Sequence, residues 1–254
     1  IFQCEPASDR IKWLKAAYRN NATITEDIRM IAIAGKCIYG ISNEGYFYSG
    51  GHRSEGNLSV RSMALSSGSD QVVIITADIC GLNDSFTRLV KESISKKYGL
   101  PSQAVFINSS HTHFAPVSQE WLTWQEANQR PDSTYLYSTI WNAMIRSVDE
   151  AFNSQKPARL FFGRGKCDIG YNRSLPEHPE LYDSSVDVLK VKYTDTGKES
   201  ILFLASCHPV FSTAGKLHYT ISANYPGVAR KLVEERTGTV NSIFIQGTAG
   251  DINP

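Results

Sequence analysis

Short apolar runs alternate with amphipathic segments along this chain. Five runs have the length and the β-branched content of buried strands: Gln71–Asp78, Ala104–Asn108, Asp187–Tyr193, Ile201–Ser206 and Ser242–Gln246. Three stretches have helical periodicity, and a glycine closes the first and the last: Ser85–Tyr98, Thr134–Asn153 and Pro226–Arg236. This alternation predicts an α/β fold in which layered β-sheets are flanked by helices.

The order of these elements bears on the kind of sheet. Residues 159–193 predict a strand, a loop and a second strand without a helix between them, so the sheet is expected to be mixed. No repeat, low-complexity tract or linker interrupts the chain. We therefore expect residues 1–254 to form a single α/β domain.

The charge balance and the absence of long apolar stretches exclude some classes of binding partner. The chain has 254 residues, and 26 Lys and Arg against 25 Asp and Glu give a formal net charge of +1. Because this balance provides no broad positive field, we expect no nucleic-acid partner. No apolar stretch approaches the roughly 20 residues of a membrane-spanning helix, so no transmembrane segment is expected. Five cysteines without a Cys-x-x-Cys pair indicate free thiols and weakly favour the cytoplasm.

Histidines follow two of the predicted strands, at the strand ends where ligands bind in open α/β sheets. His111 and His113 lie two positions apart, so on an extended segment both side chains face one metal ion or one substrate. Two unrelated surface histidines are the alternative. His208 either joins this pair through tertiary folding or only caps a strand end. His178 is interpreted as part of a solvated turn.

Other candidate groups lie in loops. The glycine-containing segment Gly247–Pro254 either brings backbone N–H groups close to an oxyanion or forms a plain turn. Arg173 holds a carboxylate or an oxyanion, or forms a surface salt bridge. Asp78 is interpreted as a hydrogen-bond partner of a histidine. Trp121 and Trp124 predict the lining of an apolar substrate channel, with packing as an equal alternative.

Taken together and in this order, five segments resemble the neutral/alkaline, non-lysosomal ceramidase family: Asn108–Pro116, Tyr171–Ser174, Ser206–Pro209, Ile221–Gly227 and Gln246–Pro254. The resemblance implies a ceramidase-like catalytic domain that cleaves an N-acyl amide bond. It implies Zn²⁺ bound by His111 and His208, with His113 and Arg173 beside the scissile amide or its oxyanion. It also brings an extracytoplasmic location into consideration, so the compartment stays open.

The last motif departs from the family pattern. Ceramidases of this family have a catalytic serine in Gly-Asp-x-Ser-Pro, and Asn253 occupies that position here. Because an amide cannot replace a hydroxyl nucleophile, a substrate other than ceramide is expected. The family takes further zinc ligands, a Glu and a Tyr, from sequence downstream of this motif. We therefore expect an incomplete catalytic domain, completed by a downstream segment or a second chain of the same precursor.

Three functional hypotheses follow. The leading one is a zinc-dependent amidohydrolase that cleaves a lipid-like or peptide-like N-acyl amide and is matured by cleavage after Pro254. Its catalytic candidates are His113, Arg173 and Asn253, and its metal ligands are His111 and His208. The alternatives are a non-catalytic ceramidase-like binding protein, and a metal-free hydrolase whose nucleophile lies on a second chain.

Overall fold

The computed structural model describes residues 58–120, 130–211, 221–239 and 241–254, together with the backbone of six short strands between residues 2 and 55. These strands are β1 (Phe2–Glu5), β2 (Lys12–Lys15), β3 (Ile28–Ala34), β4 (Cys37–Ser42), β5 (Phe47–Ser49) and β6 (Ser54–Glu55). Strands β1 and β2 form one antiparallel pair, and β3, β4 and β5 form an antiparallel sheet. Trp121 and Trp124 lie outside the described residues.

The predicted strands and helices are confirmed with small changes of boundary. The helices are α1 (Asp84–Tyr98), α2 (Trp141–Asn153), which continues a π-helical turn at Tyr135–Ile140, and α3 (Asn224–Thr237). The strands are β7 (Val60–Ser67), β8 (Asp70–Ala77), β9 (Val105–Ser109), β10 (Ala158–Lys166), β11 (Tyr171–Asn172), β12 (Ser185–Tyr193), β13 (Glu199–Ala205), β14 (Ile221–Ser222), β15 (Asn241–Gln246) and β16 (Ile252–Asn253). Gly99 and Gly238 follow α1 and α3, each with φ of 68°, a left-handed conformation that glycine adopts without a Cβ clash.

Two sheets form the centre of the described part of the chain. One has the order β7-β8-β9 and the other β10-β12-β13-β15. The first sheet has one antiparallel pair and one parallel pair, β8 with β9, and the second has two antiparallel pairs and one parallel pair, β13 with β15. The predicted mixed α/β class is therefore confirmed.

Apolar side chains alternate between the two faces of each sheet and produce four layers. Val73 and Ile75 of β8 pack against α1 and α2, whereas Ile74 joins the core between the sheets. On the second sheet, Ile243 lies in that intersheet core and Phe244 packs with residues of α3. The layers are thus helices α1 and α2, the first sheet, the second sheet and α3. Among the described residues, none of the helices has both the length and the apolar character needed to cross a lipid bilayer.

The two sheets are joined next to the carboxyl ends of β9 and β15. The Asn108 side chain donates from Nδ2 to the carbonyl of Gln246 at 3.2 Å, and its Oδ1 accepts from the backbone N–H of Gln246 at 2.9 Å. This one side chain makes both hydrogen bonds that join β9 to β15, two strands that belong to different sheets. As a result, the loops that follow β8, β9, β13 and β15 meet in one place.

Candidate functional site

His111 lies in the loop after β9 and is held by the loop after β8. Its backbone N–H donates to the carbonyl of Ile79 at 3.0 Å, and its Nδ1 lies 2.7 Å from the carbonyl oxygen of Cys80. A carbonyl can only accept, so Nδ1 carries the proton and Nε2 keeps a free lone pair. The residue has φ of 63°, an uncommon conformation for a residue with a Cβ, which is typical of functional sites.

His208 is oriented in the same way by different elements. Its Nδ1 lies 2.9 Å from the carbonyl oxygen of Ala249, and its backbone N–H donates to the carbonyl of Ile252 at 2.9 Å. The ring is buried, with 7% of the residue exposed. Its Nε2 therefore has the lone pair, as in His111, and it accepts from Nε2 of His113. Histidines that bind metals usually have the other ring nitrogen fixed by a carbonyl or carboxylate in this manner.

The three predicted histidines converge, which confirms that His208 joins the pair through tertiary folding. The ring centres lie 5.1 Å apart for His111 and His113, 4.7 Å for His111 and His208, and 5.0 Å for His113 and His208. The Nε2 atoms of His113 and His208 are 3.1 Å apart. His113 is the most exposed of the three rings.

The environment lowers the pKa of two of these rings, His113 and His208. Partial removal from water and, to a smaller extent, positive charge on His111, His208 and Arg173 together lower the pKa of His113 to about 4. Burial has the largest effect on the pKa of His208 and lowers it. The bond to Ala249 opposes this effect, and the charges of His111 and Arg173 lower the pKa as well. Neutral imidazoles with free lone pairs are ligands for metal cations.

The donor set fits a zinc ion. The ring centres of His111 and His208 lie 4.7 Å apart, close enough for both imidazoles to bind one tetrahedral zinc ion. Ligand atoms of Cys80, His111 and His113 also lie within 4.8 Å of one another. The Cys80 thiol is a weaker candidate, because burial raises its pKa to about 11 and its sulfur lies 3.7 Å from Nδ1 of His111, the nitrogen that already binds a carbonyl.

Arg173 and Asn253 form the neighbouring wall. Strand β11 pairs with β16, and this places Tyr171 opposite Asn253. The Arg173 guanidinium donates from Nη1 to Oδ1 of Asn253 at 3.2 Å and from Nη2 to the carbonyl of Gly250 at 2.7 Å. The alternative of a surface salt bridge is not found among the described residues, where Arg173 binds uncharged groups of the glycine-containing loop.

Close packing behind this wall depends on small and buried residues. A Cβ at Gly170 would lie 2.9 Å from the carbonyl oxygen of Asn253, so the two segments approach only because this residue is glycine. Asn172 is buried, and its Nδ2 donates to Leu181 at 2.8 Å and to the Asp251 carboxylate at 3.0 Å. The loop carrying Asn253 is thereby held to the segment carrying Arg173.

The structure corrects the interpretation of Asp78. Among the described residues Asp78 binds no histidine: its carboxylate accepts from Arg230 and from Ser59, because the buried acid is compensated by a cation that approaches from α3. Sequence reasoning missed Arg230 as well as the proximity of Cys80, since both follow from tertiary packing. His178 is exposed, in agreement with a solvated turn.

The sequence and the fold were compared with protein-family models and with solved structures. No protein-family model matches the sequence. A structure described as a ceramidase complexed with C2 superimposes with a TM-score of 0.64 at 20% identity, over 77% of this chain and 33% of that chain. Neutral ceramidase from Pseudomonas aeruginosa gives a TM-score of 0.63 at 22% identity with the same coverage. The described fold is therefore ceramidase-like, and the chain spans about a third of the length of those two proteins.

Proposed function

We propose that this chain carries the histidine centre of a zinc-dependent amidohydrolase that cleaves an N-acyl amide bond. The observation that carries the proposal is the convergence of three imidazoles, two of which have Nδ1 bound to a main-chain carbonyl. The ceramidase-like fold supports a lipid-like or peptide-like amide as the substrate.

His111 and His208 are the residues that would hold the zinc ion, because each has Nδ1 bound to a main-chain carbonyl, which leaves Nε2 as the ligand atom. When bound, zinc supplies a Lewis acid that polarises an amide carbonyl and lowers the pKa of a water molecule. The chain also provides a neutral His113 ring at the same centre, whose nitrogen can exchange a proton or donate to substrate.

Arg173 is proposed to bind the oxygen on which negative charge develops. Two of its nitrogens fix the guanidinium to the loop at Asn253 and Gly250, and a guanidinium has five N–H donors in total. Its positive charge contributes to the lowered pKa of His113 and of His208, which supports a role for Arg173 at this centre. Such fixed charge stabilises an oxyanion without reorganisation.

Asn253 bears on the choice of substrate. Its side-chain oxygen accepts from Arg173, and its amide is not a nucleophile. We therefore propose an N-acyl amide other than ceramide. The same residue favours the second candidate, a non-catalytic ceramidase-like binding protein, because the hydroxyl expected from the resemblance is replaced. The metal-free hydrolase and the cleavage after Pro254 stay predictions.

Metal content and turnover test the proposal together. The protein is produced from its full-length gene without chelators, zinc is measured by elemental analysis, and a panel of N-acyl amides is assayed. About one zinc per chain and hydrolysis of at least one amide are expected, with both lost in His111→Ala and His208→Ala. His178→Ala is the matched control, since this exposed histidine lies outside the centre. Hydrolysis without zinc would favour the metal-free enzyme, and zinc without hydrolysis the binding protein.

A further inference from the structure

The segment formed by residues 221–230, which contains β14 and the first half of α3, contacts every loop that carries a histidine of the centre. It begins beside His113. The backbone N–H of Ser222 donates to the carbonyl of Phe114 at 2.8 Å, and the buried Thr112 hydroxyl donates to the carbonyl of Ser222 at 2.8 Å. These two bonds bracket His113 on both sides in the sequence.

The same segment then reaches the loop of His208. The Tyr225 hydroxyl donates to the carbonyl of Cys207 at 2.9 Å. The Asn224 side chain binds both polar groups of the Phe211 backbone, donating to its carbonyl at 2.9 Å and accepting from its N–H at 3.2 Å. Asn224 has φ of 55° and is buried, so an unusual backbone conformation is maintained where this contact is made.

The third contact leads to His111. Arg230 binds the Asp78 carboxylate through both terminal nitrogens, at 3.0 and 2.6 Å, and both residues are buried. Asp78 is followed directly by Ile79 and Cys80, whose carbonyls hold the backbone and the ring of His111. A bidentate, desolvated ion pair is a rigid anchor for such a turn.

We infer that residues 221–230 are a positioning element which sets the relative placement of all three imidazoles. Its side chains are not proposed to touch metal or substrate. They act by holding the loops that carry His111, His113 and His208. The expected effect of this element on zinc binding rests on the proposed metal centre. Its physical content, the orientation of the rings, does not depend on a metal.

Two conservative substitutions test this element, each removing one hydroxyl. Tyr225→Phe removes only the donor to Cys207, whereas Thr112→Val removes the donor to Ser222 together with the acceptor of the Phe114 N–H. Thr237→Val and Tyr193→Phe are the matched controls, because their hydroxyls bind Val233 and Ser200, away from the histidine loops. Melting temperature, measured for all four variants of the full-length protein, reports any general loss of stability.

Zinc affinity and ring orientation are the specific readouts. The two site variants are expected to bind zinc about tenfold more weakly in chelator competition, in the range seen for groups that support metal ligands. The visible spectrum of the cobalt-substituted protein is expected to change, while the controls match the wild type. Long-range ¹H–¹⁵N spectra of histidine-labelled protein should show the Nδ1–H tautomer for His111 and His208 in the wild type and mixed tautomers in the site variants.

The outcomes separate this inference from the proposed function. Unchanged zinc affinity and unchanged tautomers in both site variants would overturn the inference while leaving the metal centre intact. A wild type that binds no zinc but loses its tautomer preference in the site variants would overturn the metal centre and retain the positioning element. No zinc and no change in tautomer would overturn both.

Discussion

At the scale of single residues, the candidate centre depends on how each ring is held. His111 and His208 each have Nδ1 bound to a carbonyl, of Cys80 and Ala249 respectively. His113 differs, because among the described residues its ring contacts His208 and no main-chain carbonyl binds it. A side chain without such an anchor is better suited to proton transfer or substrate contact than to metal binding.

This difference predicts the behaviour of His113→Ala. We expect the variant to retain about one zinc per chain, as a site with anchored ligands requires, while kcat/KM falls by about 100-fold or more for loss of an acid–base group. Elemental analysis and steady-state kinetics on the full-length protein measure the two effects. Loss of zinc in parallel with activity would show instead that His113 is a ligand.

At the scale of secondary-structure elements, local sequence determines most of what the structure shows. All five apolar runs form strands, of which β8, β13 and β15 are largely buried and β9 and β12 only partly, and α1 and α3 end at glycines with positive φ. Strand β7 was not predicted from the sequence, since Arg61 and several serines interrupt its apolar residues. Arg61 has a tertiary role: it binds Glu234 of α3 and the carbonyl of Ser242.

The contact between Arg61 and Glu234 predicts a pH-dependent stability. Partial burial alone would raise the pKa of Glu234, but its bonds to Arg61 and to Ser242 outweigh that effect and hold the pKa below its ordinary value. A carboxylate with a lowered folded-state pKa stabilises the fold above its unfolded pKa and loses that contribution as pH falls through the folded pKa.

We therefore expect Glu234→Gln to reduce the free energy of unfolding by about 1 kcal/mol at pH 7 and by progressively less as the solution is acidified through the carboxyl range. Urea denaturation at several pH values measures this. Glu235→Gln is the matched control, because that exposed carboxylate lies 3.8 Å from Lys231 and should show little effect at any pH. A constant difference between Glu234→Gln and wild type across the range would contradict the argument.

At the scale of the whole molecule, the centre lies where two sheets meet. Loops from both sheets supply the histidines, and the Asn108 side chain joins β9 to β15 beside them. A ligand bound by both sheets stabilises their association, so metal binding should be coupled to global stability. The single domain over residues 1–254, the second chain and the cellular location stay predictions at this scale.

Zinc removal tests that coupling. At a free zinc concentration of about 100 times the dissociation constant, binding to the folded state alone adds about 2.7 kcal/mol. Chelation should therefore lower the melting temperature of the full-length protein, and added zinc should restore it. His208→Ala should melt at one temperature with and without zinc. An equal zinc-dependent shift in that variant would place the ion elsewhere.

The α/β class, the main strands and helices, and the segments in which the polar candidates lie follow from the amino-acid sequence alone. These follow from local periodicity, from helix-ending glycines and from residue types that recur at strand ends. The meeting of His111 with His208, the pairing of Asp78 with Arg230 and the contact of Arg173 with Asn253 were decided by the tertiary structure. Each joins residues far apart in the chain, and their distances depend on strand order and sheet packing, which local pattern does not specify.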